Sequence, residues 1–298
     1  VSGLSSSLAR LNVRLAFRAP LAAEPLFGHL VATAVPGVEE WRDGAYRRTL
    51  RLPHGVGVVA LAPRPDHVAA TLWLADPRDL TPAIGRCRRL LDLDADPAAV
   101  DEALAADPAL APLIARGPGA RVPRTVDADE LAVRIVLGQQ VSTAAAATTT
   151  GRLAARLGEP VADPGGGLTR LFPSVDALAA LDPADLPGPR TRAETVIRLA
   201  GALASGELDL SPGADRDTAR RALASLRGIG PWTVELIAMR GLGDPDAFPA
   251  TDLGLVRALD AVGGPNPERW RPWRSYAAQY LCATLDHPIN RLPADRTP

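Results

Sequence analysis

The chain has 298 residues, 47% of them hydrophobic, and a formal charge of −1. That length suits about two globular domains, since single cores rarely grow beyond about 250 residues. The near-neutral charge argues against a basic footprint over the whole surface, and no run approaches the roughly 18 apolar residues of a membrane span.

Val1 to Leu21 lacks a basic patch followed by an apolar core, so a secretory signal is not expected and a cytoplasmic, nucleoid-associated protein is the default. Val1 in place of Met points to an alternative start or a fragment of a longer polypeptide. From Asn12 to Leu74, apolar β-rich stretches are broken by Pro and Gly. Leu21 to Val35 has helical spacing at Leu26, Leu30, Val31 and Ala34. Thr49 to Leu52, Val56 to Ala62 and His67 to Leu74 read as antiparallel strands with turns at Pro53-His54-Gly55 and Pro63 to Asp66. This is a small α+β domain over residues 1–78.

Residues 79–298 then read as an all-helical domain. The predicted helices are Thr81–Leu91, Pro97–Ala105, Asp129–Leu157, Ser174–Leu181, Arg190–Ser205, Asp215–Leu226, Pro231–Leu242, Asp252–Ala261 and Trp273–Asp286. Ser174, Asp215 and Thr251 are the expected caps. Asp163-Pro-Gly-Gly-Gly is a surface loop, and Pro293 to Pro298 a frayed end.

Several chemistries are bounded by residue counts. Two cysteines, Cys87 and Cys282, read as free thiols and exclude a four-cysteine iron–sulfur cluster. His29, His54, His67 and His287 have no metal-ligand spacing, so no metal is expected. Every basic residue is Arg; without Lys, no side chain can form a Schiff base. Between Arg216 and Tyr280, nine arginines face seven acidic residues, a balance that permits phosphate contacts.

Leu226-Arg-Gly-Ile-Gly-Pro-Trp-Thr233 separates two amphipathic helices. Its glycines allow a sharp turn and close approach, and Pro231 suits the first turn of the next helix. The amides there would point outward as a phosphate site, with Ile229 plugging the hairpin into the core. An ordinary helix–loop–helix with a glycine C-cap is an equal reading of this octapeptide. Downstream, Pro249 stops any helix and Asp252 falls in the first turn of another, where the dipole favours a carboxylate. Alone, Asp252 would be a capping residue.

The combination of Gly228-Ile-Gly230, a Gly/Pro-rich loop and Asp252 resembles the helix-hairpin-helix (HhH-GPD) DNA glycosylases. Val136-Leu-Gly-Gln-Gln-Val-Ser142 resembles their pocket-lining helix motif. Trp270-Arg-Pro-Trp-Arg-Ser-Tyr-Ala277 resembles the closing helix of the 3-methyladenine DNA glycosylase II (AlkA-type) group. That group also carries a small N-terminal α+β domain, so the resemblance spans essentially the whole chain.

The resemblance implies excision of alkylated purines, such as 3-methyladenine and 7-methylguanine, from double-stranded DNA by a hydrolase that flips the base. It makes Asp252 the catalytic carboxylate and assigns Arg227, Gly228, Gly230 and Thr233 to DNA. Trp232, Gln139, Gln140, Leu236 and Cys282 are the implied pocket residues, with His29 at an uncertain alignment. Core packing explains Trp232, Leu236 and Cys282 as well. Relatives with strand-cutting activity carry Lys at the place of Trp232, so a monofunctional enzyme is implied. The family pocket is richer in aromatics, which points here to a shifted or narrower substrate range. Arg274 is expected to pair with an acid and Tyr276 to pack. No cofactor is implied beyond a monovalent cation on hairpin carbonyls, and a monomer is expected. The alternatives are a non-catalytic hairpin module that binds lesions, a glycosylase for another lesion, and a small-molecule hydrolase with Asp252 as base.

Overall fold

The computed structural model describes residues 8–293; the expectations for Val1 and for residues 294–298 lie outside them. Five antiparallel strands form one sheet in the order β1-β5-β4-β3-β2: β1 (Ala9–Ala16), β2 (Glu39–Arg42), β3 (Ala45–Leu52), β4 (Gly55–Pro63) and β5 (His67–Leu74). In β5, Val68, Ala70, Leu72 and Leu74 point inward and their neighbours outward, the period of two that one buried face requires. Leu52 pairs with Gly55 across the first expected turn, and Pro63 with Val68 across the second. The sheet has two more strands than the three expected. β1 (ARLNVRLA) alternates with arginines and asparagine at a sheet edge, and β2 (EEWR) is too short and polar to register as apolar.

Helix α1 (Ala23–Ala32) covers the sheet through Leu26, Phe27 and Leu30. Helix α2 (Leu80–Leu90) adds Ala83, Cys87 and Leu90 to the same core. Asp96 caps α3 (Pro97–Leu104), and α4 (Ala111–Arg116) follows as a short helix that the sequence pattern did not suggest.

The stretch expected as one helix from Asp129 to Leu157 is two. Helix α5 (Ala128–Leu137) and α6 (Thr143–Leu157) flank a turn in which Gln140 has φ +58°. Ser142 starts the second helix by accepting from Ala145 N at 3.3 Å. Apolar spacing continues through both helices, which hides the break from a periodicity argument. Helices α7 (Val175–Ala179), α8 (Arg190–Ser205) and α9 (Arg216–Ser225) follow, with Ser174 and Asp215 capping as expected. Helix α10 (Pro231–Ile237) runs into a π-turn at Ala238–Leu242, then α11 (Leu253–Ala261) and α12 (Arg274–Cys282) complete the domain.

A buried ionic network joins the sheet to the helices. Arg48 of β3 reaches Glu39 at 2.9 Å and Glu130 of α5 at 2.8 Å; Arg134 meets the same two carboxylates at 3.0 and 2.8 Å. Tyr46 adds its hydroxyl to Glu39 at 2.6 Å. Burial works to raise the Glu39 pKa, but Arg134 and Arg48 outweigh it and hold the carboxyl at about 2.

Arg274 binds Asp246 with two nitrogens at 2.9 Å each and Glu268 at 2.6 Å, while buried Tyr276 donates to Asp92 at 2.8 Å. Both behave as the sequence suggested.

Candidate active site

The hairpin between α9 and α10 is built on two glycines that serve different ends. Gly228 has φ +95°, and a Cβ there would lie 2.1 Å from Thr195 Oγ1. Only glycine lets the loop pack against α8 at this point. Gly230 is the N-cap residue of α10, and a Cβ there would meet nothing within 4 Å. Ile229 is 7% exposed and sits in the helical core, as a plug should. The first helical bond of α10 runs from Val234 N to Gly230 O at 3.1 Å, so the amides of Trp232 and Thr233 precede it and are left for another acceptor.

Side chains brace this hairpin from behind. Gln139 Nε2 donates to Gly228 O at 3.2 Å and to Thr233 Oγ1 at 3.0 Å. Arg198 donates to Arg227 O at 2.9 Å. The structure places the expected residues around the hairpin as follows. Gln139 does not line the pocket, because its amide is turned to the hairpin. Gln140 is exposed at the tip of the α5–α6 turn and does not line it either. Thr233 is 2% exposed and its hydroxyl is taken by Gln139, so it supports the hairpin from within and does not present its side chain to DNA. Arg227, Gly228 and Gly230 are on the surface.

Asp252 is the N-cap of α11, one step before the first turn expected for it, and it takes the capping role assigned to Thr251. Its Oδ1 accepts from Gly254 N at 3.0 Å and Leu255 N at 3.1 Å. Oδ2 accepts from Trp232 Nε1 at 3.0 Å. Three donors fix the carboxylate plane, and a lone pair of Oδ2 remains for a reactant.

A cavity of about 500 Å³ opens beside it. Trp232, Leu236, Met239, Asp252, Gln279 and Cys282 form one part of its wall. Burial first, and then the Asp252 charge, push the Cys282 thiol up to about 12, so it is a neutral wall element. His29, Arg134 and Arg240 line a further part. The segment from His287 to Asn290 closes another side, held by Asn290 Nδ2 donating to Cys282 O at 2.8 Å and Leu285 O at 2.9 Å. The chain then presses on α1, where a Cβ on Gly28 would come within 2.8 Å of Arg291 backbone.

The structure thus brings Trp232, Leu236, Cys282 and His29 together with Asp252 around one cavity. Sequence reasoning missed Thr195, Met239, Arg240, Gln279 and Asn290. Of these, Gln279 leaves a trace as a polar residue between Ala277-Ala278 and Tyr280-Leu281 of α12; the others are brought in by tertiary packing alone.

Two family models match the chain: the AlkA N-terminal domain over residues 12–127, and the HhH-GPD superfamily of base excision DNA repair proteins over residues 133–272. The chain is 36% identical over 270 residues to DNA-3-methyladenine glycosylase 2 of Escherichia coli K12, covering 87% of this chain and 92% of that protein. It is 56% identical over 297 residues to a Mycobacterium tuberculosis H37Rv protein described as a probable bifunctional transcriptional activator/DNA repair enzyme AlkA. That match covers 97% of this chain, which spans 60% of the length of the relative. In fold it resembles the 3-methyladenine DNA-glycosylase of Archaeoglobus fulgidus, with a TM-score of 0.72 at 20% identity over 93% of this chain and 97% of the other.

Proposed function

Since the chain belongs to the HhH-GPD superfamily of base excision DNA repair proteins, with an AlkA-type N-terminal domain, we propose that it excises alkylated purines from double-stranded DNA by hydrolysing the N-glycosidic bond. The observation that carries this reading is the Asp252 carboxylate, oriented by three donors at the wall of a cavity beside the hairpin.

An alkylated purine of the 3-methyladenine or 7-methylguanine class is already cationic, so its departure needs no general acid. As the glycosidic bond lengthens, positive charge develops on the sugar. A fixed carboxylate stabilises that charge and orients or deprotonates the attacking water. One carboxylate is sufficient for this chemistry. The base must first leave the stack, and Trp232 at the cavity wall offers an indole face to a cationic ring, worth about 0.5–2 kcal/mol.

The exposed hairpin amides suit a DNA phosphate, a contact that positions the duplex without reading its sequence. The hairpin carbonyls suit a monovalent cation in part: those of Arg227 and Gly228 are taken by side-chain donors, while that of Ile229 accepts no hydrogen bond among the described residues. Such an ion would add positive charge beside the phosphate. The chain has no Lys, so the reaction ends at base release without strand cleavage through a Schiff base.

The test is release of free methylated purines from alkylated duplex DNA, with Asp252→Asn as the comparison. Asn accepts as well as Asp at an N-cap, so this variant keeps the helix start and removes the charge. Release by the unmodified protein, its collapse in the variant and intact strands support the reading. No release, with tight binding to an abasic-site analogue, replaces it by a lesion-binding module.

A further inference from the structure

Two arginines of the helical domain reach back to the N-terminal domain. Arg134 of α5 donates from one terminal nitrogen to Thr33 O at 2.8 Å. Arg240, in the π-turn after α10, donates through Nε to Pro123 O at 2.7 Å. Thr33 and Pro123 both fall in the segment matched by the AlkA N-terminal domain. Arg134 and Arg240 line the cavity here together with Glu39, Arg48 and His29.

The charges at this junction do not balance. Glu39 and Glu130 are each shared by Arg48 and Arg134. Arg240 is a third guanidinium, without a carboxylate partner among the described residues, and its two terminal nitrogens have no acceptor there. Burial first, and then Arg134, bring its pKa down to about 10, so it is still a cation at neutral pH. A cation withdrawn from bulk water is costly to leave without a counter-charge. His29 beside it has its Nε2 buried with no hydrogen-bond partner. Burial first, and then Arg240 and Arg134, hold the His29 pKa well below the usual value, so the ring is neutral and cannot worsen the imbalance.

We propose that Arg240 and His29 hold a small monovalent inorganic anion, chloride being the simplest, at the junction of the two domains. One negative charge offsets one unpaired guanidinium, where a divalent anion would overshoot. The terminal N–H groups of Arg240 supply charge-assisted hydrogen bonds, and a neutral imidazole supplies one N–H donor without adding charge. Groups from both domains enclose the site, so the anion binds the assembled fold and stabilises it by mass action. With the anion in place, a cationic purine entering at Asp252 meets no unbalanced positive charge in the same cavity.

The test follows thermal midpoints of the unmodified protein and Arg240→Met while sodium chloride replaces sodium gluconate at constant ionic strength. The expected result is a rise of about 2–4 °C that saturates with chloride in the unmodified protein and is absent from Arg240→Met. Bromide soaked into crystals of the unmodified protein should give an anomalous peak at the terminal nitrogens of Arg240. A rise of equal size in both proteins, a change that never saturates, or bromide at the surface alone, an adventitious ion only, overturns the inference. If Arg240→Met does not fold, saturation and the bromide position in the unmodified protein decide the matter. Neither readout involves base release, so the inference and the glycosylase reading fail separately.

Discussion

The indole N–H of Trp232 donates to Oδ2 of Asp252 at 3.0 Å, across 20 residues of chain. That bond couples the hairpin helix to the start of α11, so the element proposed to face DNA also orients the carboxylate. It also gives Trp232 a function besides stacking or core packing, because a lost indole N–H and a lost ring face have different consequences.

Trp232→Phe separates them. Phenylalanine keeps an aromatic face and removes the donor to Asp252. We expect the single-turnover excision rate to fall about tenfold to a hundredfold, the range for a hydrogen bond to a charged group. Stability should change by no more than about 1 kcal/mol, because the side chain is partly exposed. A variant with an unaltered rate would assign the bond no part in positioning the carboxylate.

The two hairpin glycines should fail differently. Gly228→Ala puts a methyl group 2.1 Å from Thr195 Oγ1 at a φ of +95°. Strain and clash together predict a loss of about 2 kcal/mol or more, visible as a lower midpoint in urea. Gly230→Ala meets nothing within 4 Å, so the fold should hold while affinity for an abasic-site duplex drops several-fold. Equal destabilisation by both substitutions would remove the argument that Gly230 is there for an approaching backbone.

Asp129 yields a pH-dependent prediction. Burial first, and then Asp127 and Asp209, raise its pKa to about 6, against about 3.9 in an unfolded chain. The folded state therefore binds more protons between about pH 4 and pH 6. Its contribution is most favourable below about pH 4 and declines as pH rises through 6. Asp129→Asn should then stabilise the protein by about 1 kcal/mol at pH 8, after allowance for solvent screening and the lost charge at the start of α5. At pH 4 the gain should vanish, and urea titrations at the two pH values check it. A gain of equal size at both would point to a cause other than ionisation.

Local physics made much of this protein legible from residues alone. Period-two alternation located His67–Leu74, and Ser174 and Asp215 marked helix starts because a side-chain oxygen beside free amides is a local event. The Gly-Ile-Gly turn and the aspartate that follows it could be read in the same way. What remained was decided by contacts distant in sequence. Gln139 turned away from the pocket because Gly228 O and Thr233 Oγ1, 89 and 94 residues on, offered its amide two acceptors. Asp252 is a cap, as its local sequence suggested, and also a carboxylate facing a cavity, because packing brings Trp232 against it. His29 and Arg240 come from opposite ends of the chain and neither sits in a motif. Capping and alternation act over a few residues and leave a local trace; a cavity wall is assembled by tertiary packing, which no short stretch of sequence records.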